Sequence, residues 1–169
     1  MNEPQRKNLW APWRMEYIQG LSEGEEGCFL CNYAANAQDD AENLVLLRSE
    51  LSLAVFNKFP YNNGHIMVCP KEHIGDISDL SDEHLLDLMR LTKQCQNLLK
   101  AELNPEGFNI GINIGRCAGA GLPGHVHIHI VPRWNGDTNY MAVCGQTDVI
   151  SQSMCQLYDK LKRRIEAKE

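Results

Sequence analysis

Apolar positions along this chain recur with two different periods, and the switches between them divide it into elements. Leu44-Val45-Leu46-Leu47 and Leu51 to Phe56 are apolar runs parted by Arg48-Ser49-Glu50, the pattern of a β-hairpin. Pro60-Tyr61-Asn62-Asn63-Gly64 is dense in turn formers, and His65 to Cys69 reads as a third strand stopped by Pro70. Ser81 is placed to accept from an orphan N–H at a helix start. Beyond it Leu85, Leu88, Met89, Thr92, Cys95 and Leu99 form one stripe at helical spacing, ending before Asn104-Pro105. Phe108, Ile110, Ile112 and Ile114 alternate with Asn and Gly, a period of two. The stretch Gly115 to Gly124 is a glycine-rich loop, and His125 to Val131 is the next strand, stopped at Pro132. Met154, Leu157, Leu161 and Ile165 mark a last helix. Strands in antiparallel order with a long central helix and a C-terminal helix predict an α+β domain built on a mainly antiparallel sheet.

Upstream the pattern is weaker. Residues 1–27 are polar apart from Leu9, Trp10, Trp13, Met15, Tyr17 and Ile18, which reads as an arm packing on the domain. A short helix or turn is expected to follow Cys28 to Cys31, and Asn36 to Glu42 reads as a loop. The expected organisation is an arm over 1–27, one domain over 28–150 and a C-terminal helix over 151–169. There is no repeat and no linker long enough to divide the chain.

Composition narrows the class. With 169 residues, 43% apolar and 22% charged, the chain suits one globular domain. A domain of this size buries roughly 70% of its unfolded surface, so it needs no disulfide scaffold. Sixteen Lys and Arg against 22 Asp and Glu give −6. That balance argues against a general grip on nucleic acid, which needs a basic face, but not against one phosphorylated ligand in a local pocket. No apolar run reaches the ~18 to 20 residues of a membrane span. Met1 to Arg14 lacks an apolar signal core, so the expected compartment is the cytoplasm. Seven cysteines, an odd number, cannot all pair within the chain; reduced, metal-bound or catalytic thiols are expected.

The richest stretch is His125-Val126-His127-Ile128-His129-Ile130-Val131. On a strand, Val126, Ile128 and Ile130 enter a core while three imidazoles line the other face. Successive imidazoles then stand roughly 6.6 Å apart at the backbone and the outer two about 13 Å apart. With Zn–N bonds of only ~2.0 to 2.1 Å, one ion does not take all three. Three readings are open: a solvated face, two metal ligands, or a catalytic imidazole that attacks with one nitrogen while the other is held by a hydrogen bond. The preceding loop carries Gly115, Gly119, Gly121 and Gly124, whose backbone N–H groups can cradle an anion, with Arg116 and Arg133 flanking. Phosphate chemistry is therefore the function this region points to.

These residues resemble the His-φ-His-φ-His-φ-φ signature of the histidine-triad superfamily of nucleotide hydrolases and transferases. Asn57, the Pro60 turn, Gly64 to Val68, Pro70-Lys71-Glu72-His73 and Asn113-Ile114-Gly115 are similar to that family's other segments. Leu9 to Met15 and Pro132 to Met141 resemble its diadenosine tetraphosphate phosphorylase-like branch. The resemblance implies attack by His127 on an α-phosphorus to form a nucleotidyl-histidine. It also implies a phosphate contact from His129, ribose contacts from Asn57, and phosphates held by Asn113 and the loop glycines Gly115, Gly119 and Gly121. The implied substrates are dinucleoside polyphosphates, with phosphate or water completing the reaction, and the implied assembly is a homodimer. The family's hydrolytic branch often has a Ser or Thr hydroxyl where this chain has Gly121-Leu122-Pro123-Gly124.

Cys28-Phe29-Leu30-Cys31 has the thiolate spacing of zinc sites and of redox pairs, but no thioredoxin-like context surrounds it. Zinc wants four ligands. The resemblance supplies the other two, His73 and His125, which would make a structural zinc site and leave His127 for chemistry. The competing function is a zinc-containing nucleotide-binding or sensor protein with little catalysis. Of the remaining candidates, His65 is expected to bond nearby backbone, His84 to be solvated, and Cys95 to lie in the core. Cys117 in the loop is expected to be an ordinary small residue. Trp10 and Trp13 are expected to pack or contact a second subunit rather than stack on a base.

Overall fold

The computed structural model describes residues 27–137, 150 and 152–167. The expected arm lies outside the described residues except for Gly27, as do Asn139 to Met141. Helix α1 spans Phe29–Ala35 and a short helix α2 spans Asp40–Asn43, with a 3-10 turn, Ala37–Asp39, between them. The loop expected over 36–42 is therefore helical. Two successive turns fit because Leu44 takes a left-handed conformation, φ 57°, and ends α2 just before the sheet. Strands β1 (Val45–Arg48), β2 (Ser52–Phe56) and β3 (Ile66–Pro70) come next. Helix α3 (Asp82–Leu103), β4 (Gly107–Ile112), β5 (Ile128–Arg133) and α4 (Met154–Glu166) complete the described elements.

The five strands form one antiparallel sheet in the order β1-β2-β3-β5-β4. Because side chains alternate across a strand, each apolar strand feeds two layers. Leu46, Ala54, Phe56, Ile66, Val68, Ile128 and Ile130 join the core beneath α3 and α4. Their neighbours Val45, Leu53, Val55, Met67 and Cys69 join Leu30 and Tyr33 of α1 on the opposite face. A strand clothed on both faces reads as a continuous apolar run, which is how β2 and β3 appear in the chain.

Helix α3 begins where Ser81 predicts, with its hydroxyl accepting from the His84 N–H. It ends at Asn104 in a left-handed cap, φ 46°, with Pro105 barring continuation. Its buried face is Leu88, Leu91, Thr92, Cys95, Leu98 and Leu99. Met89, expected in the stripe, is 57% exposed and Leu85 only half-buried. The line that touches the sheet runs through 88, 91/92, 95 and 98/99, so Met89 lies one residue off it. Burying each leucine contributes roughly 1.5–3 kcal/mol. From α4, Leu157, Tyr158 and Leu161 enter the same core, and the Tyr158 hydroxyl donates to the Val45 carbonyl at 3.3 Å.

Two prolines expected to stop strands lie inside them. Pro70 is the last residue of β3, paired with Ser52, and Pro132 lies within β5 opposite Phe108. The histidine strand also starts later than expected. The ladder begins at Ile128, where the β3 and β4 pairings end, so His125, Val126 and His127 precede it. Their backbone finds other partners: Val126 N–H donates to the Ile74 carbonyl at 2.7 Å and His125 N–H to the Leu122 carbonyl at 3.3 Å.

Candidate functional site

The register of β5 decides where the imidazoles point. His129 pairs with Met67, so it shares the α1 face of the sheet, away from α3. Val126, Ile128 and Ile130 go to the other face, as alternation predicts. His125 is fully buried, His127 is 6% exposed and His129 is half-buried. The solvated-face reading therefore fails for two of the three.

At one end of this row, Cys28 at the start of α1, Cys31 in its first turn, His73 after β3 and His125 converge. Their ligand atoms all lie within 4.8 Å of one another. Sγ of Cys28 is 3.2 Å from His125 Nδ1, and Sγ of Cys31 is 3.2 Å from His73 Nδ1 and 3.5 Å from His125 Nδ1. A tetrahedral ion with Zn–S of ~2.3 Å and Zn–N of ~2.05 Å separates sulfur from nitrogen by about 3.6 Å. The donor set is thus spaced for such an ion. His125 is also oriented for it: Nε2–H donates to the Pro70 carbonyl at 2.9 Å, which leaves the Nδ1 lone pair toward the thiols. Without a cation the pair is unfavourable as thiolates; burial and then the neighbouring Cys28 push the Cys31 thiol up to about 11. Gly124 lets His73 in, since a Cβ there would stand 3.3 Å from His73 Nε2.

His127 comes next. Its Nδ1 lies 2.8 Å from the His125 carbonyl, and a carbonyl only accepts. The proton is therefore on Nδ1 and the lone pair on Nε2. Burial pushes the His127 pKa below its ordinary value, offset in part by that hydrogen bond, so the ring is neutral near pH 7. The rings of His127 and His129 meet edge-on with centroids 4.8 Å apart.

His129 leads to a residue that the sequence left as ordinary. His65, fully buried, places Nε2 3.0 Å from His129 Nδ1. It does bond nearby backbone, as expected, through the Tyr61 N–H at 3.1 Å, but that is only half of its role in the fold. Asn57 closes the same loop: its Oδ1 accepts from Phe59 N–H at 2.9 Å and its Nδ2 lies 3.4 Å from His65 Nδ1. The signal for His65 was its place at the mouth of β3, two residues from Met67, diagonal to His129 in the register. Gly64 supplies the entry, with φ +77° and a hypothetical Cβ only 2.8 Å from Leu103 Cδ1.

Asn113, Gly115, Gly119 and Gly121 sit in the half-buried loop between β4 and the histidines. Within it Arg116–Ala118 form a 3-10 turn, and the N–H groups of Ala118, Gly119 and Ala120 donate to the Gly115 and Arg116 carbonyls. Those three amides are spent inside the loop rather than offered to an anion. His84, expected to be solvated, has a side chain only 14% exposed, and its Nδ1 lies 2.8 Å from the Ser81 hydroxyl. Cys95 is a core residue, fully buried. A cavity of about 120 Å³ lies under α3, walled by residues such as Leu80, Leu88, Val126 and Ile128 and touching His127. It is too small and too apolar for a nucleotide, whose sites run to roughly 300 Å³ and more. Among the described residues no helix is long and apolar enough to cross a membrane.

Comparison with known proteins places this geometry in a lineage. The chain is 38% identical over 156 residues to a protein of Mycobacterium tuberculosis (strain CDC 1551 / Oshkosh) named AP-4-A phosphorylase, covering 88% of this chain and 78% of that one. It is 36% identical over 93 residues to the asymmetrical bis(5'-nucleosyl)-tetraphosphatase of Schizosaccharomyces pombe (strain 972 / ATCC 24843), covering 55% and 50%. The fold superimposes on a zinc-bound histidine triad family protein from Mycobacterium smegmatis with a TM-score of 0.64 at 24% identity, over 85% of this chain and 100% of that one. The family model of the HIT domain matches residues 38–136, more than half of the sequence and all of the histidine row, so the chain belongs to the HIT domain family.

Proposed function

We propose that this chain is a nucleotide hydrolase or transferase that cleaves dinucleoside polyphosphates at the α-phosphate through a nucleotidyl-histidine on His127. The observation that carries the reading is the hydrogen bond from His127 Nδ1–H to the His125 carbonyl, which commits the Nε2 lone pair to attack. The Nε2–P bond forms as the bond from phosphorus to the leaving phosphate oxygen breaks, and that oxygen keeps the electron pair. The imidazole becomes cationic as it bonds phosphorus, so the Nδ1–H···O=C bond strengthens in the transition state. Attack by water or inorganic phosphate then releases the nucleotide and restores the neutral ring.

In this reading His129 contacts the transferring phosphoryl group, Asn57 the ribose, and Asn113, Gly115 and Gly121 the phosphate chain, while Gly119, whose amide is bonded to the Arg116 carbonyl, shapes the loop instead of holding phosphate as the resemblance implied. Cys28, Cys31, His73 and His125 hold a structural zinc, which supplies a rigid anchor for the His125 backbone rather than chemistry. Reduced thiols at that site suit a cytoplasmic protein, and a homodimer completes the reading. The names of the two sequence relatives, a phosphorylase and a tetraphosphatase, support dinucleoside polyphosphates as the substrate class.

The test is His127→Ala assayed on diadenosine tetraphosphate with and without inorganic phosphate. The expected result is a loss of turnover of at least ~10³-fold, with fold and nucleotide binding kept. Intact-protein mass of the wild type after brief exposure to substrate should show one added nucleotidyl group. Near-normal turnover by His127→Ala would overturn the proposal. Tight binding without turnover or adduct in the wild type would favour a sensor instead.

A further inference from the structure

We propose that Lys71 is a positioning residue for the metal ligands, fixing the end of β3 so that the Pro70 carbonyl receives the Nε2 proton of His125. The proposal rests on the reading of Cys28, Cys31, His73 and His125 as a zinc site.

The segment Pro70-Lys71-Glu72-His73 has two duties toward that site. It carries His73, and its Pro70 carbonyl takes the His125 Nε2–H at 2.9 Å, which turns Nδ1 to the thiols. The sheet gives this stretch little support. The β3–β5 ladder ends at the Val68–Ile128 pair, short of Pro70. Proline has no N–H to give, and the N–H of its ladder partner Ser52 is spent on Ser49 Oγ at 3.1 Å. Glu72 and His73 beyond it are exposed, so packing holds them weakly. The position of this backbone falls to Lys71.

Lys71 is tied at both ends. Its N–H donates to the Leu51 carbonyl at 2.8 Å. Its ammonium donates to the Ser49 carbonyl at 2.6 Å and to the Glu50 carbonyl at 2.9 Å. A lysine has three N–H donors to offer, and charged donors make the stronger hydrogen bonds. Two successive carbonyls fix the direction of the side chain as well as its reach.

The turn that Lys71 grips is itself firm. The Ser49 hydroxyl donates to Asp87 of α3 at 2.6 Å, which ties the turn to the helix over the larger core. Burial pushes the Asp87 carboxyl up, but the Ser49 hydroxyl, the Leu51 N–H and the Lys71 charge outweigh it and hold it below the usual carboxylate range. A chain of contacts thus runs from α3 through the turn and Lys71 to the Pro70 carbonyl and the His125 ring. Groups that orient a ligand histidine from behind set its affinity for the metal. Because the His125 carbonyl takes the Nδ1 proton of His127, what fixes His125 also bears on the imidazole read as nucleophile.

The test is Lys71→Met in the full-length chain, read by zinc affinity in chelator competition and by proton–nitrogen spectra of the zinc-loaded, ¹⁵N-histidine protein. The wild type should show the His125 Nε2–H as a sharp, slowly exchanging signal. In Lys71→Met that proton should exchange with water roughly tenfold faster, and zinc affinity should fall about tenfold. Lys71→Arg, which keeps charged donors, should recover part of both. Lys162→Met removes a comparable bond, from a lysine to the Leu46 carbonyl at 3.3 Å, and should leave both readouts unchanged. That control separates positioning from a general loss of stability. An unchanged His125 proton in a folded Lys71→Met, or equal losses in Lys162→Met, would overturn the proposal. If Lys71→Met does not fold, Lys71→Gln, which keeps one NH2 donor, is judged by the same readouts. A wild type that binds no zinc would end the metal reading, and the His125 proton in the metal-free chain would still decide for or against Lys71.

Discussion

A histidine has no fixed donor or acceptor until its neighbours assign one, and here backbone groups make the assignment. The Pro70 carbonyl takes the Nε2 proton of His125 and turns its Nδ1 to the thiols; the His125 carbonyl takes the Nδ1 proton of His127 and frees its Nε2. In the proposed reading His125 thus serves the zinc with its side chain and the nucleophile with its backbone. This coupling makes small neighbours matter. Gly124 touches His73, and Gly124→Ala would place a methyl 3.3 Å from Nε2 and 3.6 Å from Cε1 of that ring. The ring has to give by a few tenths of an ångström, which disturbs its Nδ1, 3.2 Å from Cys31 Sγ. The expected outcome is a metal affinity about tenfold weaker in chelator competition, with the histidine tautomers of His127 and His65 unchanged. Unchanged affinity would show that His73 gives way freely or is no ligand.

At the scale of elements, period and punctuation made part of the fold legible in the chain. Ser81 and Asn104-Pro105 bracket α3 because capping chemistry is local. The hairpin β1–β2 comes from two apolar runs parted by a polar triplet, and the direction of Val126, Ile128 and Ile130 from alternation. The features that failed depended on neighbours far along the chain. The start of β5 is set by where β3 and β4 stop pairing, and the Met89 error reflects which side of α3 meets the sheet. His65 was illegible as part of the site because its partner His129 lies 64 positions away. Strand β4 also departs from its expected pattern. Phe108 and Ile112 pack against the core, yet Ile110 between them is 42% exposed and Ile114 beyond them 37% exposed. Among the described strands β4 is an edge, paired only with β5. Apolar side chains on an open edge invite pairing with another strand. The homodimer reading therefore places a second copy at this edge. Sedimentation should give twice the chain mass for the wild type and a shift toward monomer for Ile110→Lys, whereas a monomeric wild type would end that reading.

For the molecule as a whole, the Cys2His2 cluster joins parts that the chain keeps far apart. It ties the start of α1 to the approach to β5, 97 positions away, and α1 again to the segment after β3, 42 positions away. A clip across such long loops restricts the unfolded chain, and an ion bound only by the folded state adds its binding free energy to stability. Several kcal/mol gained this way corresponds to roughly 10 °C in Tm for a domain of this size. In the zinc reading the second sheet face, with α1 over Leu53, Val55 and Met67, is expected to depend on the clip more than the face under α3, which has the larger core. Chelation should therefore loosen α1 and the histidine approach first. Hydrogen exchange should rise over residues 28–35 and 122–127 while α3 stays protected, and Tm should drop by about that amount. Because the His125 carbonyl orients His127, turnover should fall together with the loss of protection and return when zinc is restored. Cys28→Ser with Cys31→Ser should reproduce the chelated state and gain nothing from zinc. Metal-free protein with an unchanged Tm, unchanged exchange over these two segments and full turnover would show that the fold, and not the metal, holds the nucleophile.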